Sequence, residues 1–126
     1  MFDGGYILMR MVTELMGIEA IVSLRGSLET TTAGEARLYL DDVLAAGARR
    51  LLIDLQHLAF MSSAGLRVLL VVAKSLEAQG GELRLCNLDR NVREVFEISG
   101  FDTLLNVYGN RASAMEGWAV AMEGWG

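Results

Sequence analysis

The chain has 126 residues, of which 52% are hydrophobic and 21% charged, and its net charge is −5. That is one domain's worth of sequence, able to bury roughly two thirds of its unfolded surface without help from a metal or disulfide. The acidic balance and the absence of any basic cluster larger than Arg49-Arg50 argue against a nucleic-acid binder.

No apolar run approaches the ~20 residues of a membrane span. The opening Met1-Phe2-Asp3-Gly4-Gly5 lacks the basic start and apolar core of a signal peptide, so the expected location is cytoplasmic. Residues 7–12 and 18–25 are apolar and rich in β-formers, and Met16-Gly17 between them suits a turn. They read as a hairpin, with Gly26-Ser27 closing its second strand. Thr32 and Glu35 stand at capping-box spacing. Ala36, Leu40, Val43 and Leu44 follow at helical spacing, up to Gly47. Residues 50–55 read as a buried strand ending near Asp54, whose carboxylate is expected to order the following loop through backbone N–H groups.

The next helix starts near Ser63, with Leu66, Leu69, Leu70, Ala73 and Leu76 as its apolar face and Gly80-Gly81 as its end. Met61-Ser62-Ser63-Ala64-Gly65-Leu66-Arg67 therefore joins a strand to a helix N-terminus. Unpaired N–H groups and the helix dipole favour negative charge there. A phosphate would sit at that point at little structural cost, which suggests a switch.

Residues 82–86 alternate as a strand should. Asp89 suits the cap of a third helix with Val92, Val95 and Phe96 on its apolar face and Gly100 after it. A short strand at 104–107 and a helix near 111–120 complete the order. Strands and helices alternate from residue 18 onward, which implies an α/β domain with crossovers between parallel strands behind an antiparallel hairpin. No linker divides residues 1–126 into two units.

The last residues hold a repeat. Ala114-Met115-Glu116-Gly117-Trp118 recurs as Ala121-Met122-Glu123-Gly124-Trp125. The seven-residue offset would put both tryptophans on one side of a helix, which the glycines weaken. The segment reads either as a tail packed on the domain or as an apolar strip for a partner or a second copy in a weak homodimer.

Catalytic chemistry finds little support. His57 is the only histidine and is expected in the loop after the 50–55 strand; serine catalysis would need it beside Ser62 or Ser63, with an oxyanion hole. The glycine-flanked elbow of serine hydrolases is missing, as are phosphate-cradling glycine loops. One histidine and one cysteine do not make a zinc site. Cys86 reads as a small buried hydrophobe. The sequence thus assigns no catalytic residue, no metal and no cofactor.

Taken together, Ile53-Asp54-Leu55, Phe60-Met61-Ser62-Ser63-Ala64-Gly65-Leu66 and Gly80-Gly81-Glu82-Leu83 resemble the STAS domain, in particular the bacterial anti-sigma factor antagonists. Gly26-Ser27-Leu28-Glu29 is similar to the turn after the second strand, and residues 92–101 to the third-helix signature. The resemblance covers about residues 7–115, leaving a tail of about 116–126. It implies a single STAS domain with a mixed central sheet of about five strands and about four helices. It also implies partner switching. The dephosphorylated antagonist binds an anti-sigma factor that is often a serine kinase, releasing the sigma factor. The kinase, which holds the ATP, phosphorylates one serine and the complex separates. A PP2C-type phosphatase reverses this.

The family's loop reads Asp-Ser-Ser-Gly-Leu with the first serine as acceptor. Matched here, the aspartate falls on Ser62, the acceptor on Ser63, the second serine on Ala64 and the glycine on Gly65. Ser63 is therefore the expected phosphorylation site, and Ser62, a second hydroxyl in place of a carboxylate, the second candidate. Glu29 stands where the family has an acidic residue on the partner surface. Glu29, Ser62, Ser63, Ala64, Gly65 and Arg67 make up the expected partner-binding set. Gly65 has two readings: close approach of the partner to the backbone, or packing of the first helical turn on a strand. An alternative function is a STAS interaction module in a signalling or sensory complex outside sigma-factor control, with or without phosphorylation.

Overall fold

A computed structural model describes residues 9–118. Strand β1 (Met9–Met16) pairs antiparallel with β2 (Glu19–Leu28) across Gly17-Ile18. Gly17 takes φ +63 there, which glycine adopts without a Cβ penalty. Helix α1 (Ala33–Ala45) leads to β3 (Arg50–Met61), α2 (Ser63–Ala78) to β4 (Glu82–Cys86), and α3 (Arg90–Ser99) with a 3-10 turn (Phe101–Thr103) to β5 (Asn106–Tyr108). Helix α4 (Arg111–Ala114) follows. The sheet order is β1-β2-β3-β4-β5, with β2 to β5 mutually parallel. The mixed five-stranded α/β sheet with four helices is the architecture expected.

Period-two alternation divides the strands between two faces. Ala20, Val22 and Leu24 of β2, Leu51 and Ile53 of β3, and Leu83 and Leu85 of β4 join the core under α1, α2 and α3. The helices contribute the residues their spacing predicts: Ala36, Leu40, Val43 and Leu44 from α1, Leu66, Leu69 and Leu76 from α2, Val92 and Phe96 from α3. On the opposite face Ile21, Leu52 and Cys86 pack against Ala114, Met115 and Trp118. The Asp89 carboxylate caps α3 by accepting from the Asn91 N–H at 2.8 Å.

Several elements differ from the expectation. The first strand extends to Met16, and the expected start at residues 7 and 8 lies outside the described residues. Gly26-Ser27 does not end β2, which continues to Leu28. β3 runs six residues beyond residue 55, to Met61, so His57 sits exposed in a strand rather than in a loop. The register explains this. Ser23 pairs with Asp54 but Arg25 with His57, and Gly26 pairs with Leu58 but Ser27 with Phe60. β3 therefore carries two extra residues in successive bulges. The bulges bring Leu55, Leu58 and Met61 to the helix-covered core at a spacing of three, a pattern that advertises neither a strand nor a helix. The capping box does not form, because the Thr32 hydroxyl donates to the Ser27 carbonyl at 2.8 Å and accepts from the Glu29 N–H at 2.9 Å. The last helix is four residues long, and Met115 to Gly117 form turns.

Asp54 also behaves differently. It makes no bond to the serine loop. Its carboxylate accepts from Arg111 Nε at 2.7 Å, Asn87 Nδ2 at 3.2 Å and the Gln56 N–H at 3.0 Å. The last of these donors is released by the first bulge. Burial pushes the Asp54 carboxyl up, but these hydrogen bonds and the Arg111 charge outweigh it and hold its pKa below the ordinary 3.8. Arg111 also reaches Ser23 Oγ at 3.1 Å and Glu14 at 3.5 Å, fastening the segment after β5 across β1, β2 and β3.

Replacing Arg111 by alanine is expected to cost about 2 kcal/mol in urea unfolding, less than for a fully buried pair because Asn87 and the Gln56 N–H still serve Asp54. The pH dependence supplies a second readout. In the wild type the contribution of Asp54 is complete above the ordinary carboxylate value and is lost as pH falls through the lowered folded value. In Arg111→Ala the lowering by the Arg111 hydrogen bond and charge is lost, so the acid limb of stability moves to higher pH.

Candidate functional site

The bulged extensions of β2 and β3 run past the end of β4, whose pairing with β3 stops at Asp54–Cys86. Their last pair is Leu28–Met61, so the turn after β2 and the loop after β3 leave the sheet side by side. One turn carries Glu29 and the other carries Ser62 and Ser63. The Glu29 turn is set by Thr32, as above, and by the Thr32 and Ala33 N–H groups donating to the Glu29 carbonyl at 3.0 and 2.7 Å.

The serine loop is anchored to the same strand end. The Ser62 N–H donates to the Leu28 carbonyl at 2.9 Å, and the Leu66 N–H to the Ser62 carbonyl at 3.1 Å, which opens α2. A Cβ on Gly65 would lie 2.7 Å from Leu28 Cγ and 2.8 Å from the Leu28 carbonyl oxygen. Gly65 is buried there. Its lack of a side chain is what lets the first turn of α2 close on β2, which is the packing reading of the two.

Ser62 and Ser63 stand in unlike surroundings. Ser62 is the N-cap of α2, in extended backbone, yet makes no side-chain cap. Its Oγ is buried with no hydrogen-bond partner among the described residues. Ser63 is the first helical residue and is exposed. The N–H groups of Ser63, Ala64 and Gly65 have no intrahelical acceptor. The result is an accessible hydroxyl on a helix terminus whose donors are not occupied by a cap.

Arg67, one turn on, is exposed and has no ion-pair partner among the described residues. Ala64, Arg67, Val68 and Val71 of α2 face Ala33, Gly34 and Arg37 of α1 across a shallow groove of about 250 Å³. Arg37 pairs with Asp41 at 3.1 Å. The groove opens beside the serine loop, with apolar walls and two guanidinium groups. Leu28, Thr32 and Arg37 were not legible as site residues. Thr32 signals a cap in the sequence and Leu28 appears only as part of the Gly26-Ser27-Leu28-Glu29 turn, while Arg37 carries no signal.

His57 belongs to the β2–β3 pairing, opposite Arg25. Among the described residues no group of three His, Cys, Asp or Glu is placed to hold a metal. No helix among them is long and apolar enough to cross a membrane. Cys86 is buried and unpaired. Burial, with the nearby Asp54 charge, pushes its thiol up to about 12 against a smaller opposing effect of Arg111.

The site thus consists of partly exposed loops at the ends of two adjacent parallel strands, flanked by a groove between two helices. The sequence pattern of the STAS domain matches residues 10–114, and the chain belongs to that family. BtrV of Bordetella bronchiseptica, named as a candidate anti-sigma factor antagonist, is 42% identical over 102 residues, 81% of this chain and 88% of that protein. The anti-sigma F factor antagonist of Paenibacillus polymyxa is 29% identical over 96 residues, 75% and 82% of the two chains. The crystal structure of an anti-sigma factor antagonist from Mycobacterium paratuberculosis superposes with a TM-score of 0.77, covering 85% of this chain and 91% of that one at 21% identity. That likeness speaks for the fold. In this company the chain is a binding protein and not an enzyme.

Two measurements probe the site's construction. Gly65→Ala overpacks the contact with Leu28 and is expected to cost about 1–3 kcal/mol in denaturant unfolding. With its raised pKa and burial, Cys86 is expected to resist a thiol reagent at pH 8 in the folded protein and to react at once in urea.

Proposed function

We propose that this chain is an anti-sigma factor antagonist switched by phosphorylation at Ser63. The observation that carries the reading is the contrast between the two hydroxyls: Ser63 is exposed at the first position of α2, while Ser62 Oγ is buried. The names of the relatives BtrV and the Paenibacillus antagonist support the same class. The dephosphorylated form binds an anti-sigma factor that is also a serine kinase, through Glu29, the Ser62 to Ala64 loop and Arg67, with the α1–α2 groove as the apolar part of the surface and Gly65 packed beneath it. Binding frees the sigma factor. The partner supplies the ATP, and the antagonist needs no cofactor of its own. A PP2C-type phosphatase resets it, and the cycle runs in the cytoplasm.

Phosphorylation adds about −1.5 to −2 charges. On Ser63 that charge meets the free N–H groups and the positive end of the α2 dipole, so the fold tolerates it. Ser63 and Arg67 are four apart on one helix face, so the phosphate draws the Arg67 guanidinium to itself and away from a partner. The same charge would be desolvated in a docked interface. A penalty of about 3 kcal/mol lowers affinity by roughly a hundredfold. Ser62, standing where the family pattern has a carboxylate, adds no negative charge of its own beside the phosphate.

The test is phosphorylation and capture with the kinase-type anti-sigma factor of the same cell. Ser63→Ala should abolish phosphate incorporation and keep binding, Ser62→Ala should keep both, and Ser63→Asp should weaken binding at least tenfold. Unchanged phosphorylation of Ser63→Ala would place the switch elsewhere. Capture of only a sensory complex would remove sigma-factor control from the proposal.

A further inference from the structure

Strand β1 is the open edge of the sheet. Among the described residues it pairs with β2 alone, so every second residue presents its N–H and C=O outward without a strand partner. Proteins blunt such an edge with lysines, a proline or a bulge. β1 has none of these. Its register with β2 runs unbroken from Met9–Gly26 to Met16–Glu19, and its sequence Met-Arg-Met-Val-Thr-Glu-Leu-Met carries one cation and one anion. Val12 and Leu15 are 53% and 42% exposed.

Alternation puts Arg10, Val12 and Glu14 on one face of β1, opposite Arg25, Ser23 and Ile21. Arg10 and Arg25 are therefore like charges side by side. Both are exposed, and neither has an ion-pair partner among the described residues. Like charges directly opposite destabilise a strand pair, and a carboxylate on the outer side of Arg10 would relieve it. Glu14 is held by Arg111 only through Oε1 at 3.5 Å, long for such a bond. Its Oε2 has no partner among the described residues, and its side chain is 47% exposed.

A second β1 supplies what each charge lacks. Two copies of one strand, related by a two-fold axis normal to the sheet, pair antiparallel with facing residues on the same side. The axis can pass through any residue, but only at Val12 do the charges match. There Arg10 faces the other chain's Glu14 on both sides of a Val12–Val12 pair. An axis at Arg10 or Glu14 sets like charges against each other, and one at Met11 or Thr13 sets Val12 against a charge.

We propose that two copies of this chain pair antiparallel along β1, Met9 to Leu15, with the two-fold axis at Val12 and Arg10 of each chain bonded to Glu14 of the other. Glu14 then lies between its own Arg111 and the other chain's Arg10. On the helix-covered side the exposed Leu15 falls opposite the other chain's Met9. The pairing joins two five-stranded sheets into one. A single strand pair is a small interface, so the dimer is reversible. The axis reverses β2 of one chain against β2 of the other. The Glu29 turns and serine loops therefore lie at opposite ends of the joined sheet and take no part in the seam. Nor does the tail form it: Met115 and Trp118 are buried on their own sheet, and the second pentapeptide, residues 121–125, lies outside the described residues.

Light scattering and sedimentation of the full chain read the dimer. The wild type is expected to pass from monomer to dimer as concentration rises to the millimolar range. Arg10→Glu and Glu14→Lys should each weaken the dimer by roughly tenfold or more while keeping the far-UV spectrum of the fold. An equimolar mixture of the two variants should associate again, because every facing pair is then opposite in charge. Oxidative cross-linking checks the register without touching a charge. Val12→Cys meets its own mate with Cα atoms about 4.5–5.5 Å apart, within reach of a disulfide. Met16→Cys on the same face stands roughly 27 Å from its mate and should stay reduced. The native Cys86 is buried and does not compete. A wild type that is monomeric at millimolar concentration overturns the proposal. So does a dimer that Arg10→Glu leaves unchanged, or cross-linking at Met16→Cys in place of Val12→Cys.

Discussion

Leu28 fixes the relative position of the Glu29 turn, the serine loop and the first turn of α2. It is the last residue of β2, it pairs with Met61 at the end of β3, its carbonyl holds the Ser62 N–H, and its side chain and carbonyl fill the space where Gly65 has no Cβ. The serine loop, the first turn of α2 and the Glu29 turn are therefore referenced to one strand end. A position built this way is set by the fold itself, so docking there would not have to order it. The bulges in β3 are part of the same arrangement. They let a parallel pair run beyond its neighbour β4 while keeping Leu55, Leu58 and Met61 in the core.

The two faces of the sheet are closed by different means. Three amphipathic helices bury an apolar face in the ordinary way, with the hydrophobic effect supplying most of the stability. The other face is covered by a thin segment that cannot bury much area. It is held instead by placed polar contacts, Arg111 on Asp54, Ser23 and Glu14, and Arg84 on the segment's carbonyls and the Trp118 ring. Each charged group is served by several partners, so neither charge is left buried alone. The Ser63 end of the strands and the face covered by Trp118 are separate parts of the molecule.

The serine site was legible because it is local. Strand, loop and helix start follow one another within residues 50–66, and helix termini have the same donors in every protein. What was hidden is the difference between the two hydroxyls. Ser62 and Ser63 are neighbours with identical side chains, and only the packing of α2 on β2 buries one Oγ and exposes the other. His57 was misplaced for a related reason. Exposed Gln56, His57, Ala59 and Phe60 interrupt the apolar run, and bulges erase the alternation by which a strand is recognised.

By itself the sequence determined the order of elements, the helix faces, the caps at Asp89 and Gly100, and the family to which its motifs are similar. These follow from periodicity and from residues whose preferences act within a few positions. Tertiary structure alone decided the side-chain partners of Asp54, which lie 33 and 57 residues away in Asn87 and Arg111. It alone decided that Trp118 belongs to the sheet rather than to a free strip, and that Gly65 serves Leu28. Contacts between distant segments depend on register and on which strands become neighbours, and no local pattern of residue types carries that information.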